Sequence, residues 1–92
     1  MRILKSSRFN RELEEILEFI AQDSLLQALK FQDELILAID NLKLFPYMYR
    51  KSLKSEDESV RDLIFKKYVI PYKIKNTEIL ILGIFNQNKW KA

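Results

Sequence analysis

The sequence predicts an α+β fold in which a short N-terminal strand and a two-helix antiparallel hairpin pack on one face of a small antiparallel sheet (β-α-α-β-β-β). Two blocks of apolar residues at helical spacing, within residues 8–44, predict the hairpin. Strand-like runs separated by two-residue polar turns, within residues 60–85, predict the sheet. The length of 92 residues suits one core, so we expect residues 1–92 to form a single domain.

The first strand and first helix follow from the N-terminal residues. Residues 3–6 are predicted to form a short strand, and a helical pattern starts directly after Ser7. From Phe9 onward apolar residues recur on one helical face, while glutamates occupy the other faces. We therefore predict a first helix over residues 8–22, with Ser7 as its N-cap.

The second helix is longer and more apolar than the first. Ser24 is the expected N-cap, and the pattern predicts a helix over residues 25–44 that Pro46 ends. Apolar residues occupy more than one side of this helix, so we expect it to be buried on more than one side. Residues 46–59 then form a polar connection of a length that is unusual in compact domains and is often functional.

Three strands complete the predicted fold, over residues 60–65, 68–75 and 78–85, with turns at 66–67 and 76–77. Side chains alternate between the two faces of a strand, which assigns each residue to a face. The face expected to meet the helices is rich in aromatic and branched residues: Leu63, Phe65, Tyr68, Ile70, Tyr72, Ile74, Ile79, Ile81, Gly83 and Phe85.

The opposite face of the sheet, called the outer face below, is unusually apolar. Its predicted members are Val60, Asp62, Ile64, Val69, Pro71, Lys73, Lys75, Leu80, Leu82 and Ile84. A solvated face should alternate with polar residues, so we expect the chain's own tail or, preferably, a partner to cover it. Pro71 lacks a ladder donor, so either its nitrogen points to an unpaired side or the register slips there.

The composition excludes several classes of chemistry. The chain has no cysteine, no histidine and one glycine. A Ser-His-Asp triad, a Cys-His dyad and a typical zinc site are therefore excluded, as are glycine-rich phosphate-binding loops. We expect no metal and no cofactor. The absence of a long apolar run predicts no membrane span, and the short apolar N-terminus does not suit a signal peptide, so we expect a cytoplasmic protein.

The net charge of +3 is unevenly distributed. Residues 1–45 carry six basic and eight acidic residues, a net of −2, whereas residues 46–92 carry ten basic and five acidic, a net of +5. A basic C-terminal half predicts an anionic partner, either nucleic acid or an acidic protein segment. The candidate residues for contact with an anion or a target are Arg50, Lys51, Lys54, Lys73, Lys75 and Lys89.

Five segments at characteristic spacings carry a family resemblance. They are Leu42-Lys43-Leu44-Phe45-Pro46, Val60-Arg61-Asp62-Leu63, Tyr68-Val69-Ile70-Pro71-Tyr72-Lys73-Ile74, Ile79-Leu80-Ile81-Leu82-Gly83-Ile84-Phe85 and Asn86-Gln87-Asn88-Lys89. With the predicted layout they make the chain resemble the RelE/ParE superfamily of toxins from bacterial type II toxin–antitoxin modules. The resemblance runs through nearly the whole chain.

The resemblance implies one of two mechanisms. The RelE-like branch cuts messenger RNA on the ribosome with basic and aromatic residues, and the ParE-like branch inhibits DNA gyrase without nuclease chemistry. Val60, Asp62 and Val69 stand where the RelE-like pattern has cations and a base, and none of them is basic. Lys89 matches a basic position, but the C-terminal Tyr or His of such sites is absent. If the chain were a ribonuclease, its catalytic candidates would be Arg61, Asn86 and Lys89.

We therefore favour the ParE-like branch, a gyrase-binding toxin that is not an enzyme. The alternatives are a metal-independent RelE-like endoribonuclease and a non-catalytic nucleic-acid-binding module. The resemblance also implies a cognate antitoxin and a toxin–antitoxin hetero-oligomer. We expect the antitoxin to contact the outer face and tail at Val69, Pro71, Leu80, Leu82, Ile84 and Trp90.

Arg61 has two competing interpretations. It matches a position that many members of both branches share, which favours a role in function. Its strand parity places it near Tyr72, on the helix side of the sheet. There it would be structural, pairing with a helix carboxylate or stacking on a tyrosine.

Overall fold

A computed structural model describes residues 1–53 and 55–86 of the chain. The α+β class and the order of elements are confirmed, and the last predicted strand is divided in two. The elements are β1 (Arg2–Lys5), α1 (Ser7–Asp23), α2 (Leu25–Asp40), a 3₁₀ turn (Asn41–Lys43), β2 (Val60–Phe65), β3 (Tyr68–Lys75), β4 (Glu78–Ile81) and β5 (Phe85–Asn86).

The sheet has the strand order β1-β4-β3-β2, and β5 pairs with β3. β2, β3 and β4 form the predicted antiparallel meander, whereas β1 lies parallel to β4 with Ile3 opposite Ile79. A parallel pair needs a long crossover connection, which the helices and the meander supply here. The two predicted turns are confirmed. Each begins with a residue in the left-handed region, Lys66 with φ 54° and Asn76 with φ 55°.

Both helices begin at a capping serine. The Ser6 hydroxyl accepts a hydrogen bond from the Phe9 amide at 3.0 Å, so Ser6 caps α1. The prediction of Ser7 was wrong by one residue, because the extended conformation belongs to Ser6 (φ −68°, ψ 158°) and Ser7 is already helical. Ser24 caps α2 as predicted, accepting from the Gln27 amide at 3.2 Å.

α2 is shorter and more exposed than its sequence predicts. It ends at Asp40 and tightens into the 3₁₀ turn, so Pro46 does not end it directly. Its buried side chains form one stripe at Ala28, Phe31, Leu35 and Ile39. The prediction of burial on several sides was wrong, because the helices form a single layer against one face of the sheet. Three of its leucines are more than 60% exposed: Leu25, Leu26 and Leu37.

The core lies between this helical layer and the predicted helix-side face of the sheet. Its buried members are Phe9, Phe31, Leu35, Ile39, Leu42, Leu63, Ile70, Tyr72, Ile74, Ile79, Ile81 and Ile84. Phe65 and Tyr68 pack against it, each with its ring edge-to-face on Phe31. The face assignment from alternation is therefore confirmed up to Ile81.

A bulge between β4 and β5 reverses the alternation after Ile81. Tyr72 lies opposite Ile81, whereas Val69 lies opposite Phe85, so residues 82–84 hold one residue more than β3 does. Ile84 consequently belongs to the core and is 2% exposed, and Phe85 lies on the outer face. The predicted positions of both residues were wrong, because they assumed an unbroken strand.

Pro71 lies opposite the start of this bulge. The Leu82 amide donates to the Pro71 carbonyl at 2.9 Å, but Pro71 has no amide hydrogen to return the bond. The Ser6 hydroxyl donates to the Leu82 carbonyl at 2.9 Å instead, so the residue that caps α1 also replaces the missing donor. Of the two alternatives predicted for Pro71, the register slip occurs, and it lies on the facing strand.

The bulge also leaves the Ile84 amide without a partner on the neighbouring strand, and a side chain of α1 accepts its hydrogen bond. This N–H donates to Glu12 Oε1 at 3.1 Å, and the other Glu12 oxygen lies 3.5 Å from Arg8 Nε. A Cβ at position 83 would lie 2.7 Å from the same Glu12 Oε1. Gly83 is therefore the residue that lets α1 approach the sheet this closely.

The double use of Ser6 predicts that Ser6→Ala is costlier than Ser24→Ala. Ser24→Ala removes one exposed cap and should lower the free energy of unfolding by about 1 kcal/mol. Ser6→Ala also leaves the Leu82 carbonyl unpaired and should cost about 2–4 kcal/mol. Urea denaturation of the two variants measures the difference. Equal losses would contradict the second role of Ser6.

Candidate functional site

The connection between α2 and β2 extends the sheet beyond β2. The Ser52 amide donates to the Val60 carbonyl at 2.9 Å, and the Asp62 amide donates to the Arg50 carbonyl at 3.1 Å. The connection also brings Ser52 and Ser55 to the outer face, beside Val60 and Asp62. The expectation that only a tail or a partner covers this face is therefore corrected, since the connection covers part of it.

A cavity of about 220 Å³ opens on the outer face where the connection, the bulge and the start of α1 meet. Its lining residues are Arg8, Glu12, Ser52, Ser55, Val60, Asp62, Pro71, Leu82, Gly83 and Phe85. The cavity walls are apolar except for a few polar groups, and two of these are the carboxylates of Glu12 and Asp62. Glu12 is engaged by the Ile84 amide and Arg8, whereas Asp62 is 4% exposed.

The predicted antitoxin contacts differ in accessibility. Val69 is 4% and Ile84 2% exposed, so the fold itself buries both and neither presents an open surface in this structure. Ile84 is buried because of the bulge, and Val69 lies opposite Phe85 of β5. Pro71, Leu80 and Leu82 are half-buried and remain available. Trp90 lies outside the described residues.

The acidic run of the connection neutralises two of the predicted basic contacts. Lys73 Nζ lies 3.0 Å from Asp57 Oδ2, and Lys51 Nζ lies 3.4 Å from Glu58 Oε1. Among the described parts of the chain, no ion pair involves Arg50 or Lys75, which leaves them as the predicted contacts with free charge. The other two candidates, Lys54 and Lys89, lie outside those parts.

Asp57 orders the end of the connection. Its carboxylate accepts from the Ser59 hydroxyl at 2.6 Å and from the Ser59 amide at 2.9 Å. These bonds to Ser59, with the contact to Lys73, lower the pKa of Asp57 to about 2. The carboxylate therefore stays ionised over nearly the whole working pH range.

Arg61 holds the start of the same connection. Its Nη1 donates to the carbonyls of Tyr49 at 2.9 Å and Tyr47 at 3.3 Å, and its guanidinium lies 4.9 Å from the centre of the Tyr47 ring. These contacts support the structural interpretation with tyrosine stacking, but the guanidinium donates to two neutral backbone carbonyls and not to a helix carboxylate. Asn86, another catalytic candidate, lies in β5 opposite Tyr68, and Lys89 is not described.

Tyr72 strengthens this anchor from beneath. Its hydroxyl donates to the Pro46 carbonyl at 2.7 Å, and burial raises its pKa to about 12. A phenol with this pKa remains protonated near neutral pH, so it serves as a fixed donor and is poorly suited to proton transfer. Together Tyr72 and Arg61 fix the path of residues 46–49.

Sequence reasoning missed the contribution of α1 to the cavity. The sequence pattern places Glu12 on a solvent-facing side of the helix and Ser52 and Ser55 in a polar connection, and it assigns no role to Arg8. The available signal was the single glycine, Gly83, in a strand-like run, which often marks a bulge or a close backbone approach.

A second accessible surface lies on the helical hairpin. A groove of about 480 Å³ runs between α1 and α2, lined by apolar side chains with Glu14 and Glu18 among them. Leu25 and Leu29, which line this groove, are 67% and 50% exposed. Neither helix, in the part of the chain that is described, is long and apolar enough to cross a bilayer. The same residues contain no acidic cluster with the geometry of a metal site.

The anchoring role of Arg61 predicts a stability loss even for a charge-conserving change. Arg61→Lys removes the planar group that donates to two carbonyls and stacks on Tyr47, so the free energy of unfolding should fall by about 1–3 kcal/mol. Arg50→Lys is the matched control and should change it by less than about 0.5 kcal/mol. Urea denaturation measures both variants, and an unchanged Arg61→Lys stability would contradict the anchor.

The lowered pKa of Asp57 predicts a pH-dependent stability. Because the folded-state pKa of about 2 lies below the ordinary value of 3.8, the stabilisation is complete above pH 4 and is lost as pH falls towards 2. The melting temperature of the wild type should exceed that of Asp57→Asn at pH 6, and the gap should close near pH 2. Glu56→Gln, an exposed neighbour, should show no such gap, and a gap that persisted at pH 2 would refute the prediction.

Comparisons with known proteins agree with this geometry. The family model described as "ParE toxin of type II toxin-antitoxin system, parDE" matches residues 3–89. Nine chains of solved structures match, and one of them belongs to the chromosomal ParDE TA system from P. aeruginosa. That chain has a TM-score of 0.76 and 21% identity, with 94% of this chain and 95% of that chain covered, so it shares the fold. No curated protein matches. Since the family match spans nearly the whole sequence, the chain belongs to the ParE toxin family of type II toxin–antitoxin systems.

Proposed function

We propose that the chain arrests growth by binding DNA gyrase in the cytoplasm and that a cognate antitoxin neutralises it. The family match over residues 3–89 supports a ParE-type toxin. The observation that carries the choice of mechanism is Asp62, a buried carboxylate on the sheet face where an RNA-cleaving relative would need positive charge. The toxin therefore acts as a binder.

The surroundings of Asp62 argue in the same direction. RNA cleavage through the 2′-hydroxyl needs a base, an acid and cations around the phosphate. Val60 and Val69, the other two positions in register with such groups, are apolar and 6% and 4% exposed. Arg61 is engaged by backbone carbonyls, and Tyr72 is a fixed donor. The described positions in register with the ribonuclease pattern therefore supply neither a base nor a cation, which supports a toxin that acts by binding.

The antitoxin has two accessible apolar surfaces to cover. On the outer face, Pro71, Leu80 and Leu82 are partly exposed. On the helical hairpin the exposure is larger, with Leu26 73% and Phe19 65% exposed. Exposed apolar patches of this kind mark protein contact surfaces in soluble proteins. An antitoxin that covered both surfaces would wrap around the toxin and form a hetero-oligomer with it.

Gyrase binding predicts a specific biochemical outcome. The purified chain should inhibit DNA supercoiling by gyrase, and its expression should arrest growth with signs of DNA damage. A ribosome-bound message should remain uncut at the same toxin concentration. Toxin mixed beforehand with the product of the adjacent reading frame is the control and should restore supercoiling. Message cleavage with unimpaired gyrase would contradict the proposal.

A further inference from the structure

Asp62 is a largely buried acidic residue whose carboxylate has no compensating partner among the described residues. Its residue is 4% exposed, and its backbone N–H is used by the Arg50 carbonyl. Within residues 1–53 and 55–86 no hydrogen bond or ion pair reaches its carboxylate. A buried carboxylate is unfavourable unless a cation or donors approach it. Its position in the cavity wall leaves open space from which a cation can approach.

The cavity has the dimensions of a single side chain. Its volume of about 220 Å³ lies below the roughly 300–1,000 Å³ of sites for drug-sized molecules. Val60, Pro71 and Leu82 supply apolar wall on the way to Asp62. The second carboxylate, Glu12, already has Arg8 and the Ile84 amide as partners. A small cavity with apolar side chains in its wall, and with one carboxylate that has no ion-pair partner among the described residues, fits a cationic head on an apolar stem.

We propose that this cavity binds one arginine or lysine side chain presented by a partner protein. Asp62 accepts hydrogen bonds from the cationic head, and Pro71 and Leu82 pack against the stem. A nucleic-acid backbone is a poor occupant, because its phosphates would be repelled by the unpaired carboxylate. The site is independent of the proposed gyrase mechanism, since it follows from the charge and shape of the cavity alone.

Binding of capped amino acids to the isolated full-length protein tests the site. Nα-acetylarginine amide and Nα-acetyllysine amide are titrated while the backbone amides of Leu82, Gly83 and Phe85 are followed by NMR. At least one probe should shift these amides to saturation, and the tighter one identifies guanidinium or ammonium as the preferred head. Nα-acetylcitrulline amide, a neutral analogue of arginine, should bind about tenfold more weakly or not at all.

Matched variants assign the effect to Asp62. Asp62→Asn should weaken probe binding about tenfold or more, whereas Asp33→Asn, at an exposed position on α2, should leave it unchanged. Asp62→Asn should also melt at or above the wild-type temperature, because it removes an unpaired buried charge. This second readout shows that lost binding does not come from unfolding.

Four results would overturn the proposal. The first is a lower melting temperature for Asp62→Asn, which would mean that the carboxylate already has a stabilising partner. The second is probe binding that appears only after Lys54 and Lys89 are replaced by glutamine, which would make the occupant part of this chain. The third is tighter binding of spermidine at the same amides, which would indicate a small-cation site. The fourth is the same shifts with a single-stranded RNA decamer.

Discussion

The missing amide hydrogen of Pro71 is the constraint on which the arrangement around the sheet depends. Pro71 lies within β3, the strand that pairs with three others, so a donor is lost where the ladder needs one. The Leu82 carbonyl turns to the hydroxyl of Ser6, and the bulge that follows frees the Ile84 amide for Glu12. Both substitutes come from the start of α1. These two hydrogen bonds therefore help to position the helix on the sheet, together with the packing of Phe9 in the core.

The same constraint shapes the outer face. Without the bulge, Ile84 would lie outside and Phe85 in the core, and Glu12 would have no amide to approach. With it, Gly83, Phe85 and Glu12 form one side of a cavity whose other side carries Asp62. Asp62 and Arg61 are neighbours on β2 that point to opposite faces. Arg61 anchors the connection from the helix side, and Asp62 sets the charge of the cavity.

Local patterns predicted the features that local physics controls. The strands β2 and β3, both two-residue turns, the Ser24 cap and the helix-side face follow from periodicity, turn residues and alternation. The wrong assignments arise where distant parts of the chain compete. The local sequence does not distinguish Ser6 from Ser7 as the N-cap of α1. Ser6, which is the cap in the structure, also donates a hydrogen bond to the Leu82 carbonyl, 76 residues away. How many sides of α2 are buried depends on how many layers of helix and sheet surround it, and the spacing of apolar residues does not indicate that number.

The candidate site was harder to predict than the fold because its members come together only through long-range contacts. Glu12 and Ile84 are 72 residues apart in the sequence. The charge count illustrates the same limit: a net of +5 in residues 46–92 suggests an anion-binding surface, yet Asp57 and Glu58 of that half pair with Lys73 and Lys51. Asp62 then adds a negative charge to the cavity, and no described residue forms an ion pair with it. The outer face is consequently better suited to contact with protein side chains than with phosphates, which agrees with the proposed action by binding.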